Sequence, residues 1–454
     1  MPVSSFYAGA ARVDITPAIG SFVGVDFLTH YARFIHDPLY AKALVCKDEN
    51  TMIAIVVVDI CIMSTEMMDD MKAQIENETG IAKEHVLISS THTHAAGAVV
   101  GLLSCSPDLA YMKKLPMLVV QSVKLAKEKL RPAKIASGSA DMPEHVLCRR
   151  YVMKEGYKAP NPVTGKTDAV KTNPFGVEHL IDHPAAPTDT GVGFLAVKGI
   201  DDSWIAILGN YSLHYVGDWH VDSISADYFG EFSNQIKEKL HAGEDFVGMM
   251  SNGTSGDINI WDFRNPDRYP KEQFAKTKMI GGDLAQKVYE TVQQVSWELN
   301  PSIAVQFAAL QIDVRKPSAA EVERATLIVI DTENYNHLDL TPESMVKIYA
   351  REQVLLSEYP DKSFSHIQAI KLGNLIIGAL GGEFFAETGL WLKQQITGKN
   401  YFTICLANSY DGYIPPAHEI EKGGYETWRA RSSYLEANAE SKIRNELLRL
   451  IKNV

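Results

Sequence analysis

The chain reads as an α/β protein: a large single domain, residues 1–454, of mixed β-sheet layers flanked by helices. Three observations predict this. Short apolar or β-branched runs alternate with segments of helical period along most of the length. Hydrophobic residues are 46% and charged residues 22% of the 454, an ordinary composition for a globular chain with a large core. No internal repeat or low-complexity tract divides the sequence, and no second domain is expected after the last helical segment.

In chain order, Thr51–Asp59 is a buried strand candidate, and a helical segment runs from about Ser64 to Glu78. The apolar run Glu84–Ser90 is a short strand that ends in polar residues. Further strands are expected over 191–198, 204–210, 246–251, 303–314 and 367–380. Helices are expected over 107–130, 228–241, 271–296, 317–328, 342–357, 384–396 and 432–452. Between 150 and 190, Pro160, Pro162, Pro174, Pro184 and Pro187 disfavour helix and central strand. That stretch is either a linker or a structured excursion over an active site.

Charge and composition exclude several classes. A formal charge of −12 argues against a nucleic-acid surface or an anionic membrane as partner. No run approaches the ~20 apolar residues that span a bilayer. The N-terminus shows neither a basic nor an apolar leader region, so a cytoplasmic location is expected. Cys46, Cys61, Cys105, Cys148 and Cys405 are dispersed without a CxxC pair, as expected for reduced thiols. A small-molecule substrate is the expected partner.

The chemistry-bearing residues lie where strands end. Thr91-His92-Thr93-His94 follows the strand ending at Ser90. Imidazoles two apart on a strand share a face, and neutral imidazole is a common metal ligand. His214 ends another apolar strand, and Asp218, His220 and Asp227 follow it in a polar loop. Glu383 comes after an apolar strand and two glycines, with Glu387 one turn on. Tyr410 and Tyr413 bracket an Asp-Gly turn, and a phenol can donate a proton to an oxyanion. The loop Ser251–Asn259, with Ser255, suits close approach to a ligand but has neither P-loop nor nucleophile-elbow spacing. Arg149 can present a guanidinium to an anionic or carbonyl oxygen.

In their order these segments resemble the catalytic domain of the neutral, non-lysosomal ceramidase family. The resemblance rests on Gly9–Pro17, Ser90–His94, the His214 strand with Ile224–Asp227, Asn252–Asp257, Gly382–Phe384 and Asn408–Tyr413. It covers about residues 6–430. It implies one zinc ion held by His92, His214, Glu383 and Tyr410, with Tyr413 as the alternative tyrosine. It also implies that His94 and Arg149 contact the scissile bond. The family's serine nucleophile stands two residues after the Gly-Asp pair, where this chain has Asn259. The family's immunoglobulin-like C-terminal domain is not expected after Val454.

These readings predict a zinc-dependent hydrolase in which metal-activated water attacks an amide or ester of a small polar substrate, N-acylated or sugar-like. In it His94 or Asp227 serves as base or orients the substrate, Tyr410 or Tyr413 stabilises the oxyanion, and Ser255 and Asn259 contact substrate. The alternatives are glycoside or lactone opening or an isomerisation or elimination at the same metal, true ceramidase activity, and a non-catalytic metal or ligand-binding protein. A second divalent ion would draw on His36, Asp37, Asp59 or His220.

Overall fold

The computed structural model describes residues 5–24, 30–103, 105–332, 335 and 338–454. The first sheet has eight strands: β1 (Tyr7–Asp14), β2 (Tyr40–Lys47), β3 (Met52–Val58), β4 (Val86–Ser90), β5 (Arg131–Asp141), β6 (Gly191–Gly199), β7 (Trp204–Tyr211) and β8 (Val247–Asn252). Their order is β8-β7-β6-β5-β1-β2-β3-β4. The middle is antiparallel, and each edge ends in a parallel pair, β7 with β8 and β3 with β4. A second sheet, β9 (Ile303–Asp313), β10 (Lys362–Leu372), β11 (Leu375–Leu380) and β12 (Asn400–Ile404), also ends in a parallel pair, β11 with β12.

The sheets pack face to face. Along β3 the side chains alternate: Ile53, Ile55 and Val57 join Ile370, Ile377, Phe402 and Ile404 of the second sheet in one core. Ala54, Val56 and Val58 face outward onto α1 (Thr65–Thr79) and α2 (Leu109–Glu128). Helices α3 (Asp227–Lys239) and α4 (Ala275–Val292) cover the other half of that outer face. An α-hairpin follows, α5 (Ala319–Ile330) and α6 (Pro342–Ser357). The far face of the second sheet is covered by α7 (Ala386–Gln395) and α9 (Ala439–Ile451), with the short α8 (Ala417–Lys422) between them in sequence. The layers therefore run helix, sheet, sheet, helix. Among the described residues, no helix is long and apolar enough to cross a membrane.

Four strands, β1, β2, β5 and β12, lie outside the sequence expectation. β1 is rich in alanine and glycine because α2 lies close upon it: a Cβ on Gly9 would come within 2.3 Å of the Ala126 carbonyl oxygen. The expected strand 367–380 is a hairpin, β10 and β11, turned at Gly373 with φ 55°. The last helix begins at Ala439, because Ser433 and Leu435 bridge to Gly412 and Val314 instead.

Residues 150–190 form a structured excursion with a small sheet of Arg150–Met153, Val170–Thr172 and Ile181–Pro184. Its anchor is Arg150, fully buried and bonded to Glu426 at 2.9 Å and Glu419 at 2.9 Å. A buried charge is tolerated only when paired in this way.

Candidate metal centre

Ends of the parallel pairs supply the donors. β4 runs into His92, β7 into His214, and β11 into Glu383. Carboxyl ends of parallel strands open a crevice in α/β sheets, and here three such ends converge. His92 has left the strand, with φ 76°. That conformation is uncommon outside glycine and costs strain. So His92 and His94 do converge, their Nε2 atoms 3.3 Å apart, but through a left-handed turn rather than through a shared strand face.

Backbone carbonyls fix the imidazoles. Nδ1 of His92 donates to the Cys61 carbonyl at 2.9 Å, and Nδ1 of His214 donates to the Ser255 carbonyl at 3.1 Å. Each ring then presents an Nε2 lone pair, and the two Nε2 atoms stand 3.1 Å apart. Oε2 of Glu383 lies 3.4 Å from His92 Nε2 and 3.7 Å from His214 Nε2. This oxygen is buried and has no hydrogen-bond partner, although Oε1 of the same carboxylate accepts from the Tyr410 hydroxyl at 3.3 Å.

A proton on His92 can serve only one of its facing acceptors, whereas a cation between them serves all three. Tetrahedral zinc ligands about 2 Å from the ion stand about 3.3 Å from one another, which these donors match. Two imidazoles and a carboxylate are also a suitable donor set for a hydrolytic zinc ion. The residues fit the ion.

The centre opens on a cavity of about 930 Å³ lined by His92, His94, Glu383, Tyr410, Tyr413 and Tyr425. His94 stacks on Tyr215 with ring centres 4.1 Å apart. Burial, with the charges of His92 and Arg149, holds the His94 imidazole well below its usual pKa. The hydroxyls of Tyr413 and Tyr425 lie 3.0 Å apart, and the Arg149 guanidinium sits 5.5 Å and 5.2 Å from the two ring centres. Arg149 is itself held by Glu426 at 2.9 Å and the Gly256 carbonyl at 2.6 Å.

With this geometry in place, the sequence model of the family described as neutral/alkaline non-lysosomal ceramidase, N-terminal, matches residues 6–260. The chain belongs to this family. Two solved structures share its fold, one titled "Ceramidase complexed with C2" and the other a neutral ceramidase from Pseudomonas aeruginosa. Each has a TM-score of 0.73 and 16% identity over 99% of this chain, covering 75% and 74% of theirs respectively. Among curated proteins, none matches by sequence. Family membership supports a hydrolase, and it adds no residue roles of its own.

Within this ceramidase-family chain, His92, His94, His214, Glu383, Tyr410 and Tyr413 come together, with Arg149 behind the tyrosines. Three other predicted residues turn away from the cavity. Asp227 is buried, and its carboxylate accepts the backbone N–H groups of Val216, at 2.9 Å, and Tyr228. It braces the loop after His214 rather than facing substrate. The Ser255 hydroxyl donates to Asn252 at 2.8 Å, so its contribution is the carbonyl that fixes His214. Asn259 is buried against Asn173 and does not line the cavity.

The four residues considered for a second ion do not assemble. Asp59 pairs with Lys42 at 2.8 Å, Asp37 accepts from Ser225 and the Ala226 N–H, and His36 and His220 pack on Phe274 and Phe34. Among the described residues, the His, Cys and carboxylate groups close enough to share an ion all contain His92. Glu387 instead pairs with His418 at 3.1 Å. Sequence reasoning missed Tyr425, which follows Gly423 and Gly424, both at positive φ. That glycine pair before an aromatic residue was the available signal.

Proposed function

We propose that this protein is a zinc-dependent hydrolase of amide or ester bonds in a small N-acylated substrate. The observation carrying the reading is the facing of two imidazole lone pairs and an unpartnered, buried Glu383 oxygen at the wall of a cavity. His92, His214 and Glu383 would hold the ion, with Tyr410 steadying the carboxylate through Oε1. When bound, the ion supplies Lewis acidity and brings the pKa of water toward ~7.

The chain supplies the rest. His94, neutral because it is buried, accepts a proton from the attacking water at Nε2. Tyr413, its hydroxyl paired with Tyr425 and its ring beside Arg149, donates toward the oxygen that gains charge. Asn259 cannot act as the nucleophile: its Oδ1 accepts the Trp261 N–H at 3.1 Å and its Nδ2 donates to Asn173 at 2.7 Å. In this reading water is the nucleophile. A cavity of about 930 Å³ falls within the range of small-molecule sites.

Chelation followed by zinc restoration tests the reading on a panel of N-acyl amides and esters. Activity should fall with zinc content and return with it. Turnover that persists after complete removal of metal would overturn the assignment.

A further inference from the structure

The cavity wall built by the excursion carries charge that the centre does not use. Lys171 and Asn173 both line the cavity, beside Thr172. Two carboxylates reach Lys171 electrostatically, Glu426 and Asp168, and both are engaged elsewhere. Glu426 accepts from Arg149, Arg150 and Thr172. Asp168 accepts from Asn161, from the Gly424 N–H and from the Trp428 indole. Among the described residues, no carboxylate oxygen lies within 4.0 Å of the Lys171 ammonium. The lysine is half-buried in the lining, and an unpaired ammonium there is costly.

Asn173 adds a directed donor, and its orientation can be derived. The Trp261 N–H donates to Oδ1 of Asn259 at 3.1 Å, which fixes the Asn259 amide. Nδ2 of Asn259 must then donate, and it meets Oδ1 of Asn173 at 2.7 Å. The Asn173 N–H₂ is therefore not spent on Asn259, and the residue lines the cavity. Its backbone, at φ 46°, is in a conformation that asparagine tolerates better than most residues.

We infer that Lys171 and Asn173 form a subsite for a carboxylate on the substrate, with Asn259 as the positioning residue that turns the Asn173 amide toward it. The inference rests on the proposed hydrolase reading and narrows its substrate class to acidic N-acyl compounds. An ammonium and an amide N–H₂ are both donors, and a carboxylate offers two acceptor oxygens. Lys158, exposed at the same cavity, adds positive charge to the path of an incoming anion.

The test uses the zinc-loaded protein and matched pairs, each an N-acetyl amino acid and its uncharged carboxamide. Hydrolysis is followed by kcat and KM, and binding by calorimetry. The acid should be preferred by at least tenfold in kcat/KM, and Lys171→Met should collapse that ratio toward one. Asn259→Asp provides an independent check. Its carboxylate can only accept, so the Asn173 amide must turn its N–H₂ inward and its carbonyl to the cavity. KM for the acid should then rise several-fold with kcat little changed, and Asn259→Gln should recover part of the loss.

An acid preference equal in wild type and Lys171→Met, or no preference at all, overturns the subsite while hydrolysis still supports the metal reading. Lys171-dependent binding of the acid with no hydrolysis of either partner supports the subsite and overturns the hydrolase. Binding that ignores both Lys171 and Asn259 overturns the subsite whatever the turnover.

Discussion

The proposed metal donors and the cavity wall formed by the excursion are built from different material. His92, His214 and Glu383 follow strands of the two large sheets, are nearly fully buried, and are oriented by backbone carbonyls or a phenol. Lys171 and Asn173 belong to an irregular, proline-interrupted excursion and remain partly open. Packed sheets have discrete low-energy arrangements, so residues at their ends are held to the tolerance that ligation requires. A surface excursion accepts substitution more readily. Under the proposed function, chemistry falls to the sheets and selectivity to the excursion, and each prediction below strains one side of that division.

The largest effect falls on the sheet-borne donors. His92→Ala or His214→Ala should remove bound zinc, measured by metal analysis of the folded protein, and reduce kcat/KM by ~10³-fold or more. Normal zinc content in His214→Ala would break the assignment of the ends of β4, β7 and β11 as one centre. The two tyrosines should then separate. Tyr413→Phe is expected to cost ~10²-fold in kcat with zinc retained, as for loss of an oxyanion donor. Tyr410→Phe removes the partner of Glu383 Oε1 and should weaken zinc binding by ~10-fold or more. If the two effects were exchanged, Tyr413 would be the metal-side phenol.

Much of the centre was legible because its residues stand at the ends of conspicuous apolar strands, where a polar side chain needs a reason. Residues 84–94 and 374–383 show this plainly. β1 and β5 were less legible because alanine and glycine are frequent in them where neighbouring groups approach closely. At Gly138 of β5 a Cβ would meet the Phe194 ring at 2.9 Å, a constraint that sequence spacing does not reveal. Asp227, Ser255 and Asn259 lie near functional residues in sequence, yet their side chains serve backbone N–H groups and neighbouring amides. Proximity along the chain does not give side-chain direction in a loop. The subsite residues Lys171 and Asn173 carry no local pattern, and only the folding of the excursion over the centre brings them to it.

The smallest effect concerns the seam between the two regions. The Asp257 carbonyl accepts the Arg149 N–H at 2.9 Å, and its Oδ1 accepts the N–H of Ala386, at the start of α7, at 2.8 Å. Oδ2 is buried without a partner. Burial pushes this carboxyl up to about 7, against the opposing pull of Ala386 N–H and the two arginines. A carboxyl whose folded pKa exceeds its unfolded value binds its proton more tightly in the native state. Its contribution to stability is therefore largest in acid and declines as pH rises from near 4 toward 7, then levels off. The limit is about 1.4 kcal/mol per pH unit across that interval, roughly 4 kcal/mol in all. Asn at this position keeps the acceptor for Ala386 and cannot ionise. Asp257→Asn should come closest to wild type in urea unfolding at or below about pH 4 and exceed it increasingly as pH rises, by up to roughly 4 kcal/mol at pH 8, with zinc content unchanged at pH 8. Equal stability of the two at pH 8 would show that the carboxylate is compensated when ionised, and that the seam is electrostatic rather than a neutral hydrogen-bonded contact.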